Sequence, residues 1–145
     1  MNKNFVGVLL MDDKVLNKLN NLLNCSYSPY SKCKVACVID FGDSCEFACG
    51  VNVENASYGL TNCAERSAIF NAVTFGYDLC KAERLYIKSN QESFFTPCGA
   101  CLQVMSEFFS GDLVAIVINS KDEVKEFKFN ELLPLCFDKS KLKSN

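Results

Sequence analysis

Histidine is absent from the 145 residues of this chain. Its absence excludes the Ser-His-Asp and Cys-His nucleophile arrangements, an imidazole proton shuttle and any metal site with an imidazole ligand. A metal bound by this chain must therefore be held by Cys, Asp or Glu.

An excess of basic charge is also lacking, since 15 Lys and Arg residues face 17 Asp and Glu residues. A general nucleic-acid binder or a binder of anionic membranes needs a basic surface. No apolar run approaches the roughly 20 residues of a membrane span. The sequence predicts small solutes and other proteins as partners, with no nucleic acid and no membrane.

A convincing export signal is missing as well. The apolar run at residues 5–11 has no small-residue cleavage site and leads directly into Asp12 and Asp13. The ten cysteines are therefore predicted to be reduced thiols of a cytoplasmic protein, where clustered cysteines indicate metal or redox work.

The length fits one domain, 1–145, because domains commonly have about 100–200 residues. We expect a frayed tail at about 139–145.

Apolar residues at helical spacing predict a first helix, and they are Val15, Leu16, Leu19, Leu22 and Leu23. Two strands follow, Lys34 to Phe41 and Cys45 to Val51, joined through Gly42 and Asp43.

The second half alternates helices with strands. The predicted elements are a helix over 62–77 with Gly76 near its end, a strand from Arg84 to Ser89, a helix from Pro97 to about Phe109, strands Leu113 to Asn119 and Glu126 to Phe129, and a helical turn at Glu131 to Leu133. This order predicts an α/β fold, a three-layer α/β/α sandwich around a mixed five-stranded sheet.

Three cysteines mark two predicted helix starts: Cys63 opens the second helix, and Cys98 and Cys101 open the third. Free backbone N–H groups at a helix start favour thiolate over thiol. One strand separates the two motifs, and a right-handed crossover brings both helix starts to the same sheet edge. The three thiolates are therefore predicted to converge on one metal ion.

Zinc suits three sulfur ligands, and three protein ligands leave its fourth position for water, as in catalytic sites. Glu65 follows Cys63 by two residues and is the natural general acid and base beside such a site. Arg66 is predicted to offset the net negative charge of three thiolates and one Zn²⁺.

The strings Asn62-Cys-Ala-Glu-Arg-Ser-Ala-Ile-Phe70 and Pro97-Cys-Gly-Ala-Cys-Leu-Gln-Val-Met105 resemble those of the homotetrameric zinc-dependent cytidine deaminases. The resemblance extends over about 27–137. It implies hydrolytic deamination of cytidine and deoxycytidine with release of ammonia, in pyrimidine salvage, with one Zn²⁺ per chain.

Carried over by position, the resemblance implies zinc ligands at Cys63, Cys98 and Cys101, and proton transfer by Glu65 to N3 of the ring and to the leaving ammonia. It implies that the backbone N–H of Ala64 binds the ring carbonyl and that Asn52 and Glu54 bind the ribose. It further implies that Tyr58 and Phe137 act across subunit contacts of a homotetramer.

One position departs from the family. The sequence has Cys33 in Ser31-Lys-Cys-Lys-Val-Ala36, where the family typically has a Phe that stacks on the pyrimidine. Loss of such a stack predicts a weaker hold on the base or a roomier pocket. The other seven cysteines are predicted to be small buried hydrophobic residues, and they are Cys25, Cys33, Cys37, Cys45, Cys49, Cys80 and Cys136.

Several alternatives remain open from the residues alone. The three cysteines also fit a closed structural zinc site, a redox dithiol at Cys98 and Cys101, or a non-catalytic zinc module that binds a partner. A second metal site among Cys33, Cys37, Cys45 and Cys49 is a further alternative. Within deaminases, the substrate alternatives are a cytosine-bearing antibiotic such as blasticidin and a nucleic-acid cytosine.

Overall fold

A computed structural model describes residues 12–42 and 46–142. The apolar run at 5–11, the turn residue Asp43, Cys45 and the end of the predicted tail lie outside these ranges.

Helix α1 (Asp13–Leu23) begins where the Asp12 carboxylate accepts a hydrogen bond from Lys14 N at 2.9 Å. Capping of this kind satisfies an N–H that has no partner within the helix.

Within the described ranges, five strands form one sheet: β1 (Val35–Asp40), β2 (Phe47–Val51), β3 (Arg84–Ser89), β4 (Val114–Ile118) and β5 (Val124–Lys128). Their spatial order is β2-β1-β3-β4-β5. Only β3 and β4 run parallel among these neighbours; the other three pairs are antiparallel. The predicted mixed five-stranded sheet is therefore confirmed.

Helices cover both faces of this sheet. On one face, α1 places Val15 and Leu19 against Val38 and Ile116. The other face carries α2 (Ala64–Thr74), α3 (Gly99–Phe108) and α4 (Phe129–Leu132), which share the larger core cluster. This is the predicted three-layer α/β/α arrangement.

The topology brings two helix starts to one edge of the sheet. Strand β2 runs parallel to β3, because each is antiparallel to β1 between them. The chain leaves β2 to begin α2 and leaves β3 to begin α3, so both helices start beyond the same ends of the strands. This edge is where ligands bind in sheets of this kind.

Glycine is required at two places around α2. A Cβ on Gly50 of β2 would lie 2.2 Å from the backbone N of Ala68, so only glycine lets the helix approach the strand this closely. Gly76 has φ +78° just beyond the end of α2, and its N–H donates to Val73 O at 3.1 Å. A left-handed glycine is a common helix ending, and it confirms the stop expected there.

Two differences from the predicted elements lie near the C-terminus. Strand β5 begins at Val124 and ends at Lys128, so Phe129 belongs to α4 and the predicted strand Glu126 to Phe129 is shifted. The Glu131 carboxylate accepts from Lys128 N at 2.7 Å and so fixes the helix start. Within the predicted frayed tail, Lys139–Lys141 form a 3₁₀ turn capped by Asp138.

Candidate metal and active site

The thiols of Cys63, Cys98 and Cys101 meet at the start of α2 and α3. Their sulfur atoms all lie within 4.8 Å of one another. Cys63 Sγ is 3.8 Å from Cys98 Sγ, and Cys98 Sγ is 3.5 Å from Cys101 Sγ. The convergence predicted from the two motifs is present.

Helix geometry explains why these sulfurs converge. Cys63 and Cys98 each occupy the residue immediately before a helix, in extended conformation, and Cys101 lies in the first turn of α3. Cys98 Sγ accepts a hydrogen bond from Cys101 N at 3.5 Å. The partial positive charge of a helix start stabilises such a thiolate.

The three sulfurs fit a zinc ion. Tetrahedral zinc with Zn–S bonds of about 2.3 Å places its sulfur ligands about 3.8 Å apart, close to the observed separations. Within residues 12–42 and 46–142, no fourth Cys, Asp or Glu joins the cluster. The donor set therefore matches an open catalytic site better than a closed structural one.

Arg66 lies against this sulfur cluster as predicted. Its Nη2 donates to Cys63 Sγ at 3.5 Å. Its Nε is buried and has no hydrogen-bond partner among the described residues, so this donor remains available to the cluster. A guanidinium here offsets the charge of three thiolates around one Zn²⁺.

The cluster itself favours ionisation of one thiol. A hydrogen bond from the Cys101 thiol, together with those from Arg66 and Cys98, lowers the pKa of Cys63 to about 5. The same hydrogen bond to Cys63, together with burial, raises the pKa of Cys101. A divalent cation that binds these sulfurs displaces the protons they still carry, so metal binding at this cluster depends on pH.

Glu65 is a buried carboxyl group with 5% exposure in the first turn of α2. Burial, followed by the nearby charge of Cys63, raises the pKa of this carboxyl to about 7. A carboxyl group poised near neutral pH can both accept and return a proton. Its environment therefore suits the acid and base role expected from the sequence.

A cavity of about 230 Å³ opens beside the cluster, and we call it the thiol cavity. Its described lining residues are Cys33, Val35, Asn52, Thr61, Cys63, Ala64, Glu65, Phe95, Thr96 and Cys98. Six of them are sequence-predicted site residues. Val35, Thr61, Phe95 and Thr96 were missed, although Phe95 and Thr96 directly precede the Pro-Cys motif, and that adjacency was an available signal.

Asn52 holds the segment that carries Cys33. Its amide Nδ2 donates to Cys33 O at 2.8 Å, and its Oδ1 accepts from Val35 N at 2.9 Å and from Ser26 Oγ at 2.5 Å. One N–H of this amide remains for another acceptor.

Glu54 lies outside the thiol cavity, on the neighbouring wall. Its carboxylate accepts from Tyr30 N at 2.9 Å, from Ser31 N at 3.2 Å and from the Ser31 hydroxyl. The hydrogen bond from Ser31 is the main reason that the pKa of Glu54 lies below its usual range. The carboxylate is thus charged at neutral pH.

A second cavity of about 300 Å³ adjoins the first through the shared lining residue Thr61. We call it the tyrosine cavity, and its other described lining residues are Tyr30, Ser31, Glu54 and Tyr58. The Tyr30 and Tyr58 rings meet edge to face with centroids 5.8 Å apart. Tyr58 and Glu54 therefore share this second cavity.

Phe137 does not join either cavity in this chain. Its carbonyl accepts from Gln103 Nε2 of α3 at 2.7 Å, and its residue is 60% exposed. The structure of one chain therefore places the other predicted site residues at the sulfur cluster or on the walls of the two cavities, but not Phe137.

The prediction that the remaining cysteines are buried is wrong for most of those described. Only Cys37 is buried; Cys33, Cys49 and Cys136 are half-buried, and Cys25 and Cys80 are exposed. Cys25 follows the end of α1, and Cys80 lies in a 3₁₀ turn in which Leu79 is the buried residue. Within the described residues, no second cluster of metal-binding side chains forms.

Among the described helices, none has the length and apolar character required to cross a bilayer. This agrees with the absence of a long apolar run in the sequence.

Comparison with known proteins identifies the family. The model of the zinc-binding region of cytidine and deoxycytidylate deaminases matches residues 11–117. The cytidine deaminase of Sporosarcina psychrophila is 39% identical over 117 residues, which cover 81% of this chain and 84% of that protein. The cytidine deaminase of Mycoplasma genitalium is 36% identical over 126 residues, covering 87% and 95%.

Comparison with solved structures supports the same family. The crystal structure of cytidine deaminase from Burkholderia pseudomallei superimposes with a TM-score of 0.80 and 32% identity, covering 88% of this chain and all of that one. All three zinc-site cysteines and Glu65 lie within the span that the family model matches. The chain therefore belongs to the cytidine and deoxycytidylate deaminase family.

Proposed function

We propose that this chain hydrolyses the C4 amine of cytidine and deoxycytidine, giving uridine or deoxyuridine and ammonia. One observation carries the proposal: three cysteine thiols converge beside one buried carboxyl group. Cys63, Cys98 and Glu65 line the thiol cavity, and Cys101 completes the sulfur cluster. Relatives that align over most of the chain are named cytidine deaminases.

Cys63, Cys98 and Cys101 would hold the zinc ion that this family binds. When bound to three protein ligands, zinc acts as a Lewis acid that lowers the pKa of a water molecule to near neutrality. Three thiolates around one Zn²⁺ carry a net negative charge. Arg66 offsets part of this charge by donating a hydrogen bond to Cys63 Sγ.

Glu65 moves the protons. Its carboxylate takes the proton that the attacking water loses and delivers it to N3 of the cytosine ring, which makes C4 electrophilic. It then carries the second water proton to the amine nitrogen, which leaves as ammonia. The raised pKa of Glu65, caused chiefly by burial, suits both directions of transfer.

The first residue of α2 binds the ring. The backbone N–H of Ala64 lies at a helix position whose donor has no acceptor within the helix, and Ala64 lines the thiol cavity. We assign this donor to the ring carbonyl. The ring then lies with its amine toward the thiols and Glu65.

The sugar extends toward the tyrosine cavity. Asn52 has one free amide N–H, and the Glu54 carboxylate accepts three hydrogen bonds, which leaves one acceptor position for a sugar hydroxyl. The thiol cavity alone is smaller than the usual 300–1,000 Å³ of ligand sites. Base and sugar therefore occupy the two adjoining cavities.

The charge of these walls favours a free nucleoside over its 5′-phosphate. The two cavities are lined by the carboxyl groups of Glu65 and Glu54, and no Lys or Arg appears among the described lining residues. A phosphate dianion near these carboxylates is repelled. We expect kcat/KM for cytidine to exceed that for its 5′-monophosphate by at least about tenfold.

We further assign the active assembly as a homotetramer whose sites lie at subunit interfaces. Tyr58 and Phe137 are 74% and 60% exposed, and Phe137 is not among the described residues that line the two cavities of its own chain. Exposed aromatic rings of this kind are typical of interface residues. They would complete the site of a partner subunit.

The cytoplasm is the compartment that fits the chain. All nine described cysteines carry free thiols, which a reducing compartment preserves. Hydrolysis of free cytosine nucleosides there contributes to pyrimidine salvage.

The test follows ultraviolet absorbance and ammonia release from cytidine, deoxycytidine and cytidine 5′-monophosphate with purified, zinc-loaded protein. We expect both nucleosides to be consumed and the monophosphate to be spared. Removal of zinc by a chelator should abolish the reaction, and added zinc should restore it. A chain that carries one zinc and releases no ammonia from either nucleoside contradicts the proposal.

A further inference from the structure

The thiol cavity has only one aromatic side chain on its described wall. Of its ten described lining residues, Phe95 alone carries a ring, and most of the others are short, such as Cys33, Thr61 and Ala64. A flat pyrimidine ring gains most from packing against another flat apolar surface. Phe95 is the only group on this wall that offers one.

The segment that carries Phe95 is held at both ends. Ser120 N donates to Gln91 O at 2.9 Å, and the fully buried Asn119 donates through Nδ2 to Glu92 O at 2.9 Å. At the other end, Pro97 is buried and Cys98 begins α3. Such anchoring places the ring before substrate arrives, which reduces the entropy lost on binding.

The neighbouring rings of Phe94 and Phe95 have different surroundings. Phe94 packs against the larger core cluster, and Lys125 Nζ lies 4.3 Å from its ring centroid on the side of β5. Phe95 is half-buried and lines the thiol cavity, whereas Phe94 does not appear among the described lining residues of that cavity.

Cys33 leaves room for this arrangement. The backbone of Cys33 is fixed by hydrogen bonds between its N–H and Ser31 Oγ at 3.0 Å and between its carbonyl and Asn52 Nδ2 at 2.8 Å. Its short thiol lines the same cavity as Phe95 and occupies less of it than an aromatic side chain would.

We propose that Phe95 is the aromatic surface against which the pyrimidine ring packs, and that it sets the position of C4 relative to the thiols and Glu65. The proposal rests on the proposed function, since it concerns the substrate of the same site. The ring contact is made by substrate and product alike, because packing on the face of the ring does not depend on the group at C4.

The experiment compares Phe95→Leu with wild type for cytidine KM and kcat, and for the Kd of uridine by calorimetry. Leucine keeps the site apolar but removes the flat face. We expect KM and the uridine Kd to rise together by about 3- to 10-fold, with zinc content and melting temperature unchanged. Phe95→Tyr should restore both constants to within about twofold of wild type.

Phe94→Leu is the matched control, because it removes a ring one residue away on the core side. It should lower the melting temperature and leave KM and the uridine Kd unchanged. An active Phe95→Leu variant with wild-type KM and uridine Kd overturns the proposal, as does a Tyr variant as impaired as the Leu variant. If the wild type itself fails to deaminate cytidine, the proposed function fails instead, so the two failures are distinguishable.

Discussion

Arg66 and Arg84 stand in the same local sequence, Ala-Glu-Arg, yet their surroundings differ. Arg66 follows a helix start and donates to a cysteine sulfur, whereas Arg84 begins β3 and is exposed. The position of Arg66 beside Cys63 was sufficient to predict its contact, because residues three apart on a helix are neighbours. Arg84 therefore provides the control for a substitution of Arg66.

Arg66→Gln should weaken zinc binding about 10- to 100-fold, since it removes a group that hydrogen-bonds a ligand and balances its charge. Arg84→Gln should leave zinc affinity unchanged. Competition with a chromophoric chelator measures both. Equal zinc affinities for the Arg66 variant and wild type would contradict the role assigned to Arg66.

For single residues, the sequence predicts a contact well when the residues that make it lie close together along the chain. The sulfurs of Cys98 and Cys101 meet because of spacing along one helix, so a motif revealed them. Thr61 and Phe95 reach the cavity from loops, whose paths are set by distant anchors such as Asn119. No spacing rule covers such anchors. The position of Phe95 directly before the Pro-Cys motif marked it as a candidate, but that it lines the cavity could not be derived from the sequence.

At the scale of elements, the site depends on how closely α2 lies on β2. Gly50 allows this approach, and α2 carries both Cys63 at its start and Glu65 in its first turn. The distance of the helix from the strand therefore fixes how the first thiol meets those of α3.

Gly50→Ala should destabilise the fold by about 1–3 kcal/mol, because its Cβ would overlap backbone atoms of α2 that cannot move alone. Thermal or urea unfolding measures the change. Gly59→Ala is the control, since nothing lies within 4 Å of a Cβ built there. Equal unfolding midpoints for the Gly50 variant and wild type would show that α2 is free to shift.

The strands differed in how well their ends could be predicted from the sequence. The predicted bounds of β3, Arg84 to Ser89, match the structure, because polar residues flank its apolar run. Strand β5 starts earlier than predicted, since Asp122 adopts φ +61° and turns the chain so that Val124 pairs with Ile118. The pattern of apolar residues does not reveal that Asp122 adopts a left-handed conformation, so the start of β5 could not be predicted from it.

At the scale of the whole molecule, apolar side chains remain exposed on the outer face of α2. Phe70 and Val73 lie three residues apart on this helix and are 48% and 54% exposed. Phe70 also lines a groove of about 430 Å³ with residues of α1 and β2. An exposed apolar face of this kind is typical of subunit interfaces, and we propose it as the contact surface of the proposed homotetramer.

Val73→Glu should dissociate the assembly, because it buries a charge in an apolar contact. Deaminase activity should fall at least about tenfold with it, since Tyr58 and Phe137 would no longer reach a partner's site. Light scattering coupled to gel filtration measures the mass, and Val73→Ala is the control that keeps the face apolar. A Val73→Glu variant with unchanged mass would place the interface elsewhere.

The most direct test of the account is cytidine turnover by zinc-loaded Glu65→Gln beside wild type and Glu83→Gln, which changes the glutamate of the second Ala-Glu-Arg sequence. Glutamine keeps the shape of Glu65 and cannot move protons. The account predicts a loss of kcat of about 100- to 10,000-fold for Glu65→Gln, with one zinc per chain retained and uridine still bound, and no loss for Glu83→Gln. A Glu65→Gln variant that deaminates cytidine at the wild-type rate would contradict it.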